Sequence, residues 1–312
     1  MKLRQVAIAA GGLLGLVAMA RTFRMRPEAA PIPGTLRIVD GEVVHYVDRG
    51  EGPAMILIHG FGGNTYSWRS TIDAFAGGHR VVALDLPGFG FSDRTGLAPL
   101  GHEDHARRVF RLMDELGIDR AMIVGHSMGG AVAQRMAVQS PERVAGLVLV
   151  CSVNAGERRA WDRAVRRLRV VQLGGLAIER NPPFVRRVMR QALKRMVYDP
   201  ATVTDEMVEA YATPLARPGT GRSMVQMAHD ARAEPLVDLG TIKAPTLVIS
   251  GETDRVMPPS TGEAIAHGIP GARHVVMPET AHMLPDERPG RLNAELGRFL
   301  AELTGRQAGI DR

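Results

Sequence analysis

Along the first half of the chain, short apolar runs alternate with segments patterned for helices. Leu36–Val39 and Val43–Val47 are β-prone. Asp40-Gly41 lies between them, and both residues tolerate positive φ, which predicts a tight hairpin. Met55–Ile58 and, after its first residue, Arg80–Leu84 are continuous apolar stretches ended by His59-Gly60 and by Asp85-Leu86-Pro87-Gly88. Strands buried on both faces of a parallel sheet have this form. Ala106, Val109, Phe110, Met113 and Leu116 share one helical face, stopped by Gly117. Ala121–Val124 predicts the next strand, Met128–Gln139 a helix halted before Pro141, and Val144–Val150 another strand.

From about Ala155 to Met227 the pattern predicts helices alone. Trp161, Val165 and Leu168 share a face of the first. Val185, Val188, Met189, Ala192, Leu193 and Met196 line a second, which begins at Pro182-Pro183. Strand character returns at Thr246–Ser250 and at His274–Met277, with helices near Thr261–His267 and from Leu292 to Leu303. A sheet that pauses for helices and then resumes predicts an α/β core over residues 35–154 and 228–305, with a helical cap over 155–227.

Charge and the N-terminus change this picture in two places. Of 312 residues 45% are hydrophobic and 23% charged, which excludes a disordered or collagen-like chain. The net charge is +6, yet residues 157–195 hold twelve bases against three acids, or +9, leaving the remainder at −3. Aromatics are only 4% and no nucleic-acid motif accompanies the arginines, so a solvated basic face or a membrane surface fits better than nucleic acid. Val6–Ala20 is uncharged, preceded by Lys2 and Arg4 and followed by Arg21, Arg24 and Arg26. Residues 1–26 are therefore expected to be an uncleaved membrane anchor, or alternatively a signal segment cleaved after Ala18-Met19-Ala20 with export of the rest. As a helix the uncharged stretch would reach about 22 Å, short of the roughly 30 Å hydrocarbon core. Residues 27–34, with Pro27, Pro31 and Pro33, suit a linker. The single cysteine, Cys151, rules out an internal disulfide and fits a small buried hydrophobe.

The chemistry concentrates at loops that follow strands. Gly125-His126-Ser127-Met128-Gly129 fits G-x-S-x-G between a predicted buried strand and a predicted helix, the context of a nucleophile elbow. A serine hydroxyl needs a base. His282 lies directly after the last predicted strand and so emerges at the same carboxyl edge as Ser127. An imidazole acting as base needs a carboxylate to fix its tautomer. Asp254 follows strand Thr246–Ser250 and lies further into its loop than the rival Glu252. Backbone N–H groups of Met128 and Phe61 are candidates for an oxyanion hole, one at a helix N-terminus and one in His59-Gly60-Phe61-Gly62-Gly63. His59, His126 and His274 lie in or beside strands and suit structural roles. His102 and His105 are spaced i, i+3 with no third ligand type alongside, so no metal site is expected.

Taken with Asp85-Leu86-Pro87-Gly88-Phe89-Gly90-Phe91-Ser92-Asp93, Gly251-Glu252-Thr253-Asp254 and Ala281-His282, these motifs resemble the α/β-hydrolase superfamily from about Val39 to Leu303. The resemblance implies a mostly parallel eight-stranded sheet, a helical cap inserted after the sixth strand, and catalysis without a cofactor. Ser127 at the elbow departs from the aspartate of haloalkane dehalogenases and epoxide hydrolases. The chain is similar to capped serine esterases and lipases, and the expected activity is cleavage of a small-molecule carboxylic ester through an acyl-enzyme on Ser127. Carbon–carbon bond hydrolases and cofactor-free haloperoxidases share nearly the same serine signature and stand as the alternative. A non-catalytic binding protein on this fold is the second. Oligomeric state is not encoded in any of these motifs.

Overall fold

The computed structural model describes residues 34–94, 98–155 and 181–310. Its first element is the expected hairpin. Asp40 and Gly41 take φ of 48° and 81° and join β1 (Thr35–Val39) to β2 (Glu42–Arg49), with Val39 opposite Glu42. The strands that follow are β3 (Ala54–Ile58), β4 (Arg80–Leu84), β5 (Ala121–His126), β6 (Val144–Val150), β7 (Thr246–Gly251) and β8 (Arg273–Met277). Among the described residues they form one eight-stranded sheet in the order β1-β2-β4-β3-β5-β6-β7-β8. Only β2 runs against the others in this sheet; β3 to β8 pair in parallel.

Side chains of a strand alternate between two apolar layers, as the pleat requires. On one face Ile56, Ile58 and Ile123 pack with Ala106 and Val109 of α2 (His102–Glu115) and Val132 of α3 (Met128–Gln139). On the other, Met55, Leu57 and Val124 meet Ile72 of α1 (Arg69–Phe75) and Leu292, Leu296 and Phe299 of α9 (Pro289–Ile310). Helix α1 went unpredicted because seven residues with few apolar positions show no helical period. Continuous apolar strands between two such layers are the arrangement their sequences demanded.

Between β6 and β7 the described insertion consists of α4 (Pro182–Met196), α5 (Asp205–Leu215) and α6 (Thr220–Ala233). Leu193, Val197, Val203, Met207, Val208 and Tyr211 form its own apolar cluster, which also takes in Met283 from beyond β8. Helix α6 runs unbroken past residue 227, and its Met227, Ala228 and Ala231 join the sheet's layer instead. Two bases of the positive run are neutralised within the insertion, where Arg186 pairs with Glu209 and Arg190 with Asp205. The helix expected around Trp161–Leu168 lies outside the described residues.

The expectation of membrane attachment or export through residues 1–26 is corrected. No described helix is long and apolar enough to cross a membrane. The Val6–Ala20 stretch, itself outside the described residues, is too short to span a hydrocarbon core as one helix.

Strand order fixes where a site can form. From β3 the chain steps to β4 on one side and then to β5 on the other, so the loops leaving β3 and β5 diverge and open a crevice at the carboxyl edge. Helices α7 (Pro259–Gly268) and α8 (Leu284–Glu287) follow β7 and β8 at the same end of the molecule.

Candidate active site

Ser127 sits between β5 and α3 with φ 52° and ψ −116°, a positive φ that a side-chain-bearing residue rarely adopts. A Cβ on Gly125 would strike the Gly129 carbonyl, and one on Gly129 would strike the carbonyl of Ile58. Strand and helix can therefore cross this closely only with glycine at both positions. Strain of about 1–3 kcal/mol is usual for such a residue. Here it is offset by backbone bonds: Ser127 N–H donates to Val150 O at 2.9 Å, and Ser127 O accepts from Gly130 N–H at 3.0 Å and Val153 N–H at 3.2 Å.

Loops from β7 and β8 bring the other two candidates to this turn. The Thr253 N–H donates to Thr280 O at 2.9 Å and Glu252 N–H to Met277 O at 2.9 Å, lacing the loops together. His282 Nδ1–H donates to Asp254 Oδ2 at 2.8 Å, which leaves Nε2 to accept from the Ser127 hydroxyl at 3.1 Å. Asp254 Oδ1 in turn accepts from Val256 N–H at 2.7 Å and Met257 N–H at 2.9 Å. Burial pushes the Asp254 carboxyl up, but the hydrogen bond and charge of His282, with the two amides, outweigh it and hold it below the ordinary carboxylate range. Glu252, the rival, is exposed, and its Oε2 accepts from Glu279 N–H at 3.0 Å, away from the imidazole.

The turn after β3 lies against the serine. A Cβ at Gly60 would sit 3.2 Å from Ser127 Cβ, and Gly63 N–H closes the turn onto Gly60 O at 2.9 Å. Phe61 lies inside this turn, and Met128 opens α3, whose first N–H groups have no intrahelical acceptor. His59 anchors the turn from below: Nδ1–H donates to Gly60 O at 2.7 Å and Nε2 accepts from Leu86 N–H at 3.0 Å. That pattern needs a neutral ring, and burial lowers its pKa accordingly. The insertion closes over the turn through Asn64, whose Nδ2 donates to Ala210 O on α5 at 3.0 Å.

Cys151 is buried with φ 45° beside the same cluster. Its Sγ lies with a ligand atom from each of Asp254 and His282, all within 4.8 Å of one another. The donor set does not fit a cation, because Nδ1 and Oδ2 already bond each other and burial, with Asp254 alongside, pushes the thiol well above its usual pKa.

Sequence reasoning missed how much the buried histidines contribute. His126 Nε2–H donates to the carbonyl of His282 at 2.8 Å, with the rings 5.0 Å apart. Burial, and then the charge of His282, push the His126 pKa down to about 3. His102 Nδ1 bonds Glu234 Oε2 at 3.0 Å, whereas both ring nitrogens of the fully buried His105 have no hydrogen-bond partner among the described residues. Burial, followed by Arg108, lowers the His105 pKa well below its usual value. Under about pH 6.5 the unfolded chain binds protons that the His105 and His126 rings refuse, so stability falls as the solution is acidified. Denaturant midpoints are therefore expected to drop between about pH 6.5 and 5. His105→Leu should flatten that drop by up to about 1.4 kcal/mol per pH unit. An unchanged slope in the variant would count against a neutral, buried His105.

Similarity to known proteins now bears on a defined geometry. The family model described as alpha/beta hydrolase fold matches residues 53–289, which includes the elbow, the turn after β3 and both partner loops. The chain belongs to the α/β-hydrolase family. It is 33% identical over 269 residues to a 2-hydroxy-6-oxononadienedioate/2-hydroxy-6-oxononatrienedioate hydrolase of Paraburkholderia phymatum, covering 83% of this chain and 91% of that one. A 2-hydroxy-6-oxo-6-phenylhexa-2,4-dienoate hydrolase of Comamonas testosteroni is 30% identical over 270 residues, covering 83% and 92%. Among solved structures, a meta-cleavage product hydrolase from Pseudomonas fluorescens superposes with a TM-score of 0.72 at 29% identity, covering 88% of this α/β-hydrolase and 99% of that chain. This α/β-hydrolase is accordingly a hydrolase in activity as well as in fold.

Proposed function

We propose that this hydrolase cleaves a carbon–carbon bond next to a ketone in a 2-hydroxy-6-oxo-dienoate, using Ser127 as nucleophile, His282 as base and Asp254 as its orienting acid. Relatives named for such substrates match 83% of the chain at 30–33% identity, and this favours the reaction over the ester cleavage first expected.

Both reactions begin alike, with a nucleophile adding to a carbonyl carbon. The Ser127 oxygen attacks C6 as His282 Nε2 takes its proton, and Asp254 stabilises the imidazolium that results. The oxyanion is met by the N–H groups of Phe61 and Met128, a contribution of about 2.7–4 kcal/mol per donor in comparable sites. The leaving carbon decides the rest. Expulsion of C5 from the dienol would leave an unstabilised vinyl carbanion. In the keto tautomer, where the 2-hydroxyl proton has moved to C5, the departing electron pair spreads through the conjugated system onto the C2 oxygen. That oxygen then takes the proton from His282. Water, activated by the same imidazole, hydrolyses the acyl-Ser127 and frees the carboxylic acid. The sum is one water added across C5–C6.

Comparing kcat/KM for 2-hydroxy-6-oxo-6-phenylhexa-2,4-dienoate, followed by loss of its conjugated chromophore, with that for p-nitrophenyl butyrate tests the assignment. The dienoate is expected to lead by about 100-fold or more, equivalent to about 2.7 kcal/mol of transition-state binding. Turnover of the butyrate ester with the dienoate untouched would return the enzyme to the esterases.

A further inference from the structure

The backbone of His282 is gripped from the insertion as well as from the core. Its N–H donates to Met196 O, the last residue of α4, at 2.9 Å, and Met283 N–H reaches the same carbonyl at 3.2 Å. One residue earlier, Ala281 N–H donates to both carboxylate oxygens of Glu287 at 3.2 Å. The same carboxylate accepts from Tyr198 N–H, just beyond α4, at 2.6 Å. Next to it on α8, Asp286 accepts from the Tyr211 hydroxyl of α5 at 2.7 Å and from Arg69 at 2.6 Å. The end of α4 and helix α5 thus both reach the four-residue α8 that follows the imidazole, through Tyr198 and Tyr211, and Met283 is packed in the insertion's apolar cluster.

We propose that Glu287 is a positioning residue: by joining the Tyr198 amide of the insertion to the Ala281 amide beside the base, it makes the placement of His282 depend on how the insertion is seated. This rests on the proposed role of His282 as base. The oxyanion turn hangs from the insertion through Asn64, so the base and the oxyanion turn are both tied to α4 and α5, while Ser127 is held by the core. Positioning errors near 1 Å can cost about 100-fold in rate, and two amide bonds to one carboxylate are well placed to prevent one.

Two variants separate this from a general packing role. Glu287→Gln keeps the size of the side chain, but because Ala281 N–H lies 3.2 Å from both carboxylate oxygens, either orientation of the amide sets its NH₂ against that donor. Tyr198→Pro deletes the insertion's N–H together with a side chain that is exposed; Val197 before it is extended, at φ −104° and ψ 155°, which suits a residue preceding proline. Turnover of the dienoate is measured per active site titrated to completion with a fluorophosphonate, so misfolded protein is not counted. In both variants kcat should fall by about 10- to 100-fold with KM nearly unchanged, and the rate of phosphonylation should fall in parallel. In Glu287→Gln, amide exchange at 196–198 and at 281–283 should quicken together, a readout that does not depend on the proline variant folding. Wild-type kcat per titrated site in Glu287→Gln, a loss there but none in Tyr198→Pro, or unchanged protection at either segment would overturn the coupling. His282→Ala is the control: normal phosphonylation in that variant would remove the base assignment itself, whatever Glu287 does.

Discussion

Ser127→Ala is expected to lower kcat on the preferred substrate by on the order of 10⁶-fold, as loss of the nucleophile does in other serine hydrolases. The expectation follows from the elbow. Strand β5 and helix α3 place one hydroxyl 3.1 Å from an imidazole whose opposite nitrogen is already committed to Asp254. Alanine leaves no atom in that place able to form an acyl-enzyme. The residue is barely exposed and its backbone bonds to Val150, Gly130 and Val153 do not involve the side chain, so the melting temperature should stay close to that of the wild type. His282→Ala should cost about as much, and the double variant no more than either alone, because the two groups act in a single step. Steady-state kinetics with a fluorophosphonate-titrated wild type as reference would measure all three. Retention of a tenth of wild-type turnover by Ser127→Ala would mean that water, not the serine, attacks the substrate.

The legibility of this chain follows how local each signal is. Arg80–Leu84 and Val144–Val150 could be bounded from sequence because a strand buried on both faces is apolar throughout and ends at a charged or turn-forming residue. The elbow was legible for the same reason: glycines two residues on either side of Ser127 answer a steric demand made by their immediate neighbours. Asp254 and His282 are 28 residues apart, but a shared carboxyl edge was enough to bring their loops to one rim. What eluded the sequence depends on partners distant in the chain. The bond from His126 to the His282 carbonyl spans 156 residues, and the grip of Glu287 on Tyr198 spans 89. Neither leaves a periodic or motif-like trace. Substrate class was obscure for a different reason, since attack on a ketone and on an ester use the same nucleophile, base and oxyanion donors. Val6–Ala20 misled because a run of uncharged residues flanked by arginines carries the composition of an anchor without the length to span a bilayer.

Asp254→Asn is expected to reduce kcat by about 10⁴-fold, with KM little changed, although only one oxygen is exchanged for an amide nitrogen. Asp254 Oδ1 is held by the N–H groups of Val256 and Met257, so in the variant the carbonyl oxygen must stay there. The new NH₂ then faces His282 Nδ1, which can bond it only as an acceptor. The ring proton is driven to Nε2, and the nitrogen 3.1 Å from Ser127 becomes a donor where the reaction needs an acceptor. The wild-type carboxylate, held ionised through the neutral range, forbids that tautomer and stabilises the imidazolium once it forms. Glu252 cannot substitute, because its carboxylate is turned out to the Glu279 amide. Glu252→Gln should therefore leave kcat within about twofold, as surface substitutions away from a site usually do. Near-normal turnover in Asp254→Asn combined with a large loss in Glu252→Gln would reverse the two assignments, and Nδ1-resolved NMR of the His282 ring in the asparagine variant would show directly which nitrogen carries the proton.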